Sequence, residues 1–304
     1  MSFQAQKEKI AEGKGFIAAL DQSGGSTPKA LKQYGIEETA YANEEQMFAL
    51  VHEMRERIIT APAFASGKVI GAILFEKTMD ADIKGVPTAQ YLWEKLKIVP
   101  FLKIDKGLAD EADGVQLMKP IDGLEDLLKR AKAKGIFGTK MRSVINKASK
   151  SGIAAAVKQQ FDIARIILAH GLVPIIEPEV NIKAPDKAAS EDILKAEILK
   201  NLESLAADQP VMLKLSLPEK PGLYAELAAH EKILQVVALS GGYSLDESCR
   251  RLAENDDMIA SFSRALTNDL KATQSDGEFN STLQAVIDKI HAASVKGQRK
   301  TRAA

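Results

Sequence analysis

Eight short apolar runs, rich in β-branched residues, recur along the chain, and each ends in polar or charged residues. Near-continuous hydrophobicity over so few residues predicts a parallel strand that is covered on both faces. The predicted strands are Phe16–Asp21, Val69–Phe75, Val99–Asp105, Phe137–Arg142, Val173–Glu179, Val211–Ser216, Gln235–Gly242 and Met258–Arg264. Longer stretches such as Glu44–Ile59 and Ala154–His170 lie between them and carry apolar residues at helical spacing. Gly135 and Gly171 follow predicted helices, as helix C-termini prefer.

The alternation of eight strands with helices is typical of an α/β protein of the (β/α)8 TIM-barrel class. An open, doubly wound sheet shows the same alternation, but it commonly has a Gly-x-Gly-x-x-Gly turn after its first strand. Here the first strand leads into Asp21–Ser26, which does not fit that pattern. We therefore predict one barrel domain over residues 1–304. It opens with a helix over residues 1–12, and we expect a basic, mobile tail over residues 295–304.

The composition excludes several classes of partner. Lys+Arg and Asp+Glu number 41 each, so no net charge attracts nucleic acid or an anionic membrane surface. The single cysteine, Cys249, excludes an internal disulfide and is typical of a reducing compartment. The sequence also lacks a signal-peptide core and an apolar run of the ~18 residues that span a bilayer. These features predict a soluble, cytoplasmic protein that binds neither nucleic acid nor membrane, and they do not reveal whether it forms a homo-oligomer.

Charged residues lie at the C-terminal ends of the predicted strands, where the active site of a barrel enzyme is located. Lys214 lies between apolar neighbours in Val211–Leu217 and shares a strand face with Met212 and Ser216. Lys140 lies two strands earlier and faces the same way. A second cation and removal from water both favour the neutral amine, which is the form that attacks a carbonyl. The alternative is a lysine whose stem extends out of a strand end toward water.

Carboxylates occupy comparable strand ends. Glu177 and Glu179 lie two residues apart, so they point to one face of their strand and could serve as general acid and base beside the lysines. They could equally form structural ion pairs with Lys140 and Arg142, and we favour that role for Glu179. Asp21 is the better functional candidate because it opens the Ser/Gly loop.

Two groups of residues are suited to bind phosphate. Small residues that expose backbone N–H groups, together with an arginine, often form a phosphate site after strands seven and eight of a barrel. The residues here are Ser240, Gly241, Gly242, Ser263 and Arg264. A second group near strands one and three comprises Ser23, Ser26, Lys29 and Lys106. Two such groups on either side of a lysine predict a substrate phosphorylated at both ends.

No metal or organic cofactor is implied by these residues. A catalytic zinc normally takes three protein ligands, commonly histidines. The four histidines are His52, His170, His230 and His291, which fall on predicted helices or their ends without ligand spacing. We expect surface or capping roles for them.

With these residues in hand, the sequence resembles the class I (Schiff-base) fructose-bisphosphate aldolases, and most closely their short bacterial branch. The resemblance covers roughly residues 14–270. The matching motifs are Ala19–Ser26, Lys103–Gly107, Gly138–Arg142, Val173–Glu179, Leu213–Lys214, Leu239–Gly242 and Ser261–Leu266.

The resemblance implies a metal-independent lyase of glycolysis and gluconeogenesis that cleaves fructose 1,6-bisphosphate to dihydroxyacetone phosphate and glyceraldehyde 3-phosphate. It places the Schiff-base lysine at Lys214 and the proton-transferring glutamate at Glu177. It implies further roles for Asp21 and Lys140 in carbinolamine chemistry. The other residues that it implies are Lys106, Arg142 and Glu179 in the same pocket, Ser240, Gly241, Ser263 and Arg264 at the ketone-side phosphate, and Ser26 and Lys29 at the other phosphate.

Three questions stay open at this stage. Another Schiff-base barrel aldolase, such as one acting on tagatose bisphosphate or a transaldolase-like enzyme, would use the same pocket motifs. A second alternative is a barrel that binds phosphorylated sugars without turning them over, although such a protein would have no need for an activated amine. The C-terminus also lacks the tyrosine that animal enzymes use for proton exchange on the enamine, so the group that protonates this intermediate is not identified.

Overall fold

Eight parallel strands follow one another in chain order and form the wall of a barrel in the computed structural model, which describes residues 2–296. The strands are β1 (Phe16–Leu20), β2 (Val69–Leu74), β3 (Val99–Lys103), β4 (Gly138–Ile145), β5 (Val173–Val180), β6 (Val211–Ser216), β7 (Ile233–Leu239) and β8 (Ile259–Ala260). The Ala19 N–H of β1 donates to the Phe262 carbonyl just after β8, at 3.2 Å. This bond joins the first strand to the last, so the predicted (β/α)8 TIM barrel is confirmed.

The last strand differs from its prediction. Instead of running over Met258–Arg264, β8 keeps regular pairing only at Ile259 and Ala260, and Arg264 begins a helical turn. The apolar run continues to Phe262 because that side chain is fully buried. Burial therefore extended the hydrophobic signal beyond the end of the strand.

The helices lie between successive strands and around them. Their bounds are Phe3–Glu12, Ser26–Tyr34, Glu44–Thr60, Glu76–Asp80, Thr88–Gln90, Leu124–Ala133, Lys150–Ala169, Lys187–Leu202, Ala225–Ala229, Leu245–Leu252, Arg264–Thr267 and Asp276–Val295, with a 3₁₀ turn at Glu38–Ala40 and a π turn at Tyr91–Lys95. Short antiparallel pieces pair Asp82–Ile83 with Val86–Pro87, and Val115–Gln116 with β4. From residue 297 onward the tail expected at 295–304 lies outside the described residues.

The helix predicted to begin at Ala154 begins at Lys150, with Ser149 as its N-cap. Gly152 lies inside its first turn, although glycine argues against a helix there. A Cβ atom at Gly152 would come within 2.2 Å of the Asp113 carbonyl oxygen. The missing side chain lets the loop after β3 pack directly on the helix.

Alternate residues of each strand point into the barrel. Toward the strands' N-terminal ends these inward residues are apolar and pack together, as Phe101, Ile175 and Met212 do. Helix Phe3–Glu12 closes this end, and its buried Ile10 belongs to the same cluster. At the other end the inward positions become charged, for example from Met212 to Lys214 along β6. The fold therefore collects polar groups at one mouth of the barrel.

Candidate active site

Four buried charged residues form a continuous chain of contacts at the C-terminal mouth of the barrel. Lys214 Nζ lies 3.0 Å from Glu177 Oε1, and Lys140 Nζ lies 3.0 Å from Glu177 Oε2. Lys140 Nζ also lies 2.6 Å from Asp21 Oδ2. The residues are only 3–7% exposed. The structure thus brings together the four residues that the sequence indicated for chemistry, and it places Glu177 between the two lysines.

The charges of this chain depend on one another. Burial alone would raise the pKa of the Asp21 carboxyl, but Lys140 and Lys214 outweigh it and hold that pKa well below its usual range. Burial would lower the pKa of the Lys140 ammonium, but Asp21 and Glu177 outweigh it and raise that pKa. Asp21 therefore stays ionised and Lys140 stays cationic at neutral pH. These two residues act as fixed charges beside the Glu177–Lys214 pair.

The separation of β5 from β6 makes room for this pair. Regular pairing between the two strands covers Ile175↔Met212 and Ile176↔Leu213, and it stops there. On its other side β5 stays paired with β4 as far as Val180. The first residues beyond the β5–β6 pairing are Glu177 and Lys214, which face each other across the opening.

Two more ion pairs surround the chain of contacts. Arg142 Nε donates to Glu179 Oε2 at 2.5 Å, and although burial opposes it, Glu179 raises the pKa of the Arg142 guanidinium. Lys103 Nζ donates to Asp105 Oδ1 at 2.8 Å. Glu179 thus forms the ion pair that was its favoured role in the sequence.

The loops after β7 and β8 come together at the same mouth. Gly241 and Gly242 have φ angles of 60° and 117°, which glycine adopts without a Cβ clash. A Cβ atom on Gly242 would lie 3.6 Å from Arg264 Nη2, so the arginine crosses directly over the turn. Ser240 is buried in this turn, and Ser263 Oγ accepts a hydrogen bond from Gln22 Nε2 at 2.8 Å. An arginine, two hydroxyls and an open glycine turn thus lie together, and these are groups that can bind an anion.

The second predicted anion-binding group is more dispersed. Ser26 Oγ donates to the Ser23 carbonyl and accepts from the Ser23 N–H, so its hydroxyl holds the loop after β1 in shape. Lys29 is exposed on the helix that follows. Lys106 follows β3 and pairs at 2.9 Å with Glu76, which follows β2. This group therefore extends along the rim of the mouth, with the strand β2 between its two parts.

Two residues that the sequence analysis did not select support the site. Arg55, on helix Glu44–Thr60, is 1% exposed and donates to the Gln22 carbonyl at 2.5 Å and to Thr78 Oγ1 at 2.8 Å. Burial lowers the pKa of Arg55 to about 10, which leaves it cationic at neutral pH, and the Asp21 charge opposes that shift. The detectable signal was an arginine on the apolar face of an amphipathic helix, between Val51 and Ile58. Gln22 gave no such signal because it lies in a loop.

Two of the histidines contact nearby backbone carbonyls. His52 Nε2 lies 2.9 Å from the Asp82 carbonyl, and His170 Nδ1 lies 2.9 Å from the Ile166 carbonyl. Within residues 2–296, no group of three or more His, Cys, Asp and Glu side chains is arranged to hold a metal ion. In that same range no helix is both long and apolar enough to cross a bilayer.

The chain was compared with known proteins once this geometry was established. Residues 3–225 match the family model of fructose-bisphosphate aldolase class-I. Among solved structures, the chain is similar to fructose-bisphosphate aldolase from Plasmodium falciparum in complex with TRAP and a small-molecule inhibitor. The TM-score is 0.79 at 19% sequence identity, with 98% of this chain and 96% of that chain covered. That likeness is one of fold, whereas the family match spans well over half of this sequence.

The family consists of lyases that act on a sugar bisphosphate through a Schiff base on a lysine. A buried lysine, a carboxylate in contact with it and anion-binding loops at a barrel mouth are what this chemistry needs. The chain belongs to the class-I fructose-bisphosphate aldolase family.

Proposed function

We propose that Lys214 is the Schiff-base lysine of this aldolase and that Glu177 moves the protons of the reaction. The observation that carries the proposal is the position of Glu177, whose two carboxylate oxygens each lie 3.0 Å from a lysine nitrogen. One carboxylate can therefore accept a proton from Lys214 while Lys140 stabilises its charge. The substrate is fructose 1,6-bisphosphate, and the products are dihydroxyacetone phosphate and glyceraldehyde 3-phosphate.

The first half of the reaction forms the imine. Glu177 accepts a proton from Lys214, and the neutral amine attacks the C2 ketone so that a carbon–nitrogen bond forms. Glu177 then returns the proton to the C2 oxygen, which gives the carbinolamine. It next carries a second proton from the nitrogen to the same oxygen, which leaves as water. The resulting iminium draws electrons from the neighbouring carbon–carbon bond, and this covalent division of the reaction lowers the barrier.

Cleavage follows when the C3–C4 bond breaks. Its electron pair forms the C2–C3 double bond of an enamine, while the carbon–nitrogen π pair moves to the nitrogen. The C4 hydroxyl proton passes to a carboxylate, either Glu177 or Asp21. Glu177 is the better acceptor because the low pKa of Asp21 makes that carboxylate a weak base. Glyceraldehyde 3-phosphate leaves, the enamine is protonated at C3, and hydrolysis releases dihydroxyacetone phosphate and the free Lys214 amine.

The two phosphates are assigned to the two groups of anion-binding residues. Arg264, the Ser263 and Ser240 hydroxyls and the Gly241–Gly242 turn bind the phosphate next to the ketone. The far phosphate is held by Ser23, Ser26, Lys29 and Lys106 at the rim. The support is the position of these groups after β1, β3, β7 and β8, at the end of the barrel that holds Lys214, and the positive charge of their arginine and lysines. Arg142 and Glu179 line the wall between the two groups.

Trapping the imine tests the central assignment. The protein is incubated with dihydroxyacetone phosphate in the presence of EDTA, reduced with borohydride and digested for mass spectrometry. We expect a reduced adduct on Lys214 that is absent from Lys214→Met. Lys232→Met serves as the control. Lys232 directly precedes β7, at the end of the barrel opposite Lys214, and its amine donates to the Leu202 and Leu205 carbonyls. No adduct in the wild type, or loss of activity with EDTA, would overturn the proposal.

Sugar specificity and location need separate tests. Product formation from fructose 1,6-bisphosphate and from tagatose 1,6-bisphosphate distinguishes two C4 epimers that would meet the same residues. We expect cleavage of the fructose compound at the higher kcat/KM. We also infer a cytoplasmic location, which a glycolytic aldolase needs to reach its substrate, and cell fractionation with an antibody to the chain checks it.

A further inference from the structure

We propose that Gln160 is a positioning residue for the reaction: its side-chain amide holds the backbone of Glu177 and thereby sets the carboxylate between Lys140 and Lys214. This inference rests on the proposed function, since it concerns the glutamate to which proton transfer is assigned. Gln160 lies on helix Lys150–Ala169, outside the barrel wall, and it is fully buried. Its side-chain hydrogen bonds join it to Ser143 and to the Glu177 backbone, so it acts on the reaction through the position of Glu177.

The inference starts from the break in strand pairing. Beyond Ile176 the strand β5 has no regular partner on β6, and a buried backbone N–H needs an acceptor. The Glu177 N–H donates to Gln160 Oε1 at 2.8 Å. Farther along, a side chain spans the opening itself, where Ser216 Oγ of β6 donates to the Val180 carbonyl of β5 at 2.6 Å. Where β5 and β6 separate, side chains therefore supply hydrogen bonds to the β5 backbone in place of strand pairing.

The orientation of the Gln160 amide follows from its partners. Its oxygen must face the Glu177 N–H, because a backbone N–H can only donate. Its nitrogen is therefore the atom that lies 2.6 Å from Ser143 Oγ, to which it donates. Ser143 is fully buried on β4, so one amide joins the helix to β4 and β5.

β4 and β5 carry Lys140 and Glu177, and the reaction depends on the distance between these two side chains. Lys140 lies on β4 three residues before Ser143, and Glu177 is itself the anchored residue of β5. The amide acts from behind the wall on a carboxylate whose two oxygens must each stay near a lysine nitrogen. Misplacing a reacting group by about 1 Å can lower a rate by roughly a hundredfold. Loss of the anchor should therefore reduce the rate of the chemical steps, with little effect on phosphate binding.

The decisive variant is Gln160→Met, which keeps the side chain's length and removes both polar atoms. We expect kcat to fall by roughly 10- to 100-fold, with KM for fructose 1,6-bisphosphate near the wild-type value. The rate of borohydride trapping on Lys214 should fall with kcat. Gln160→Glu retains an acceptor for the Glu177 N–H, and full burial favours the neutral carboxyl, whose O–H can replace the amide as donor to Ser143 Oγ. This variant should recover most of the lost kcat.

Gln159→Met is the matched control. Gln159 is the adjacent residue of the same helix, and its amide also makes two hydrogen bonds, both at 2.9 Å to the backbone of Met118. Its loss should cost stability without lowering kcat. If Gln160→Met does not fold, Ser143→Ala decides the matter, since it frees the amide to turn and should lower kcat by a smaller factor at unchanged KM.

The inference is overturned if Gln160→Met or a folded Ser143→Ala keeps wild-type kcat. It is also overturned if Gln160→Glu and Gln160→Met lose the same factor, because the anchor would then be irrelevant to the loss. Failure of the proposed function looks different, since the wild type itself would form no adduct on Lys214.

Discussion

The Nζ atom of Lys214 and the Oε1 atom of Glu177 lie 3.0 Å apart, and each residue is the first beyond the last position at which β5 and β6 pair with each other. The contact between Lys214 and Glu177 occurs where the pairing between β5 and β6 ends. A continuous β5–β6 ladder keeps the two strands side by side, whereas separated strands leave more space for two long side chains. The charges are buried but paired, which is the condition under which buried charges are tolerated.

The first prediction concerns Glu177→Gln. The amide keeps the shape of the side chain but cannot accept a proton from Lys214, so kcat should fall by about 10²- to 10⁴-fold. Steady-state cleavage of fructose 1,6-bisphosphate measures the effect.

Glu191→Gln is the control for that variant. Glu191 is fully buried and pairs at 2.6 Å with Lys187 of the same helix, Lys187–Leu202. Both substitutions remove a buried ion pair and should lower the free energy of unfolding, but Glu191→Gln should keep wild-type kcat. A comparable loss of kcat in both variants would contradict the role assigned to Glu177.

The second prediction is a pH dependence of stability that originates at Asp21. Its folded pKa is well below the ordinary value of 3.8, so the unfolded chain takes up this proton first as the pH falls. The contribution of Asp21 to the free energy of unfolding is present above about pH 4 and is lost progressively as the pH falls below it. Denaturant unfolding from pH 6 to pH 3 should show a shallower decline for Asp21→Asn than for the wild type.

Asp126→Asn serves as the comparison for Asp21→Asn. The Asp126 side chain is 87% exposed and pairs with the exposed Lys129, so its removal should leave the wild-type slope unchanged. Equal slopes for the wild type and Asp21→Asn would show that the Asp21–Lys140 pair does not contribute as described.

The third prediction uses the glycine turn after β7. A Cβ atom on Gly241 would lie 2.6 Å from Ile182 Cγ2, in a backbone conformation with φ of 60°. Gly241→Ala should therefore displace the turn and raise KM for fructose 1,6-bisphosphate. Gly222→Ala has a similar φ of 76° with open space around the Cβ position, and it should keep the wild-type KM. Equal KM values for the two variants would argue against a phosphate site at this turn.

The fourth prediction separates the two phosphates. Lys106 is assigned to the far phosphate, so Lys106→Met should lower kcat/KM for fructose 1,6-bisphosphate. Fructose 1-phosphate lacks that phosphate, so the substitution should lower kcat/KM for this sugar much less. Lys129→Met removes an equally charged, exposed side chain and should leave both values unchanged. An equal loss for the two sugars would place Lys106 outside the far phosphate site.

Strand positions were predictable because burial on both faces demands apolar side chains, and the inward charges stand out against that background. The same rule failed for β8, where Phe262 is buried without belonging to the strand. It also explains how Arg55 and Gln160 could have been found, since both are polar residues on apolar helix faces. Their partners could not have been named, because Gln22 and Glu177 are distant in the sequence.

The sequence by itself determined which side chains share the inner face at the mouth, since alternate residues of a strand point the same way and Lys140, Glu177 and Lys214 obey that rule. It suggested a second cation beside Lys214. Only the tertiary structure decided that Glu177 stands between the two lysines. That arrangement depends on the register of β4, β5 and β6 and on the point where β5 leaves β6, and both are set by packing between residues far apart in the chain.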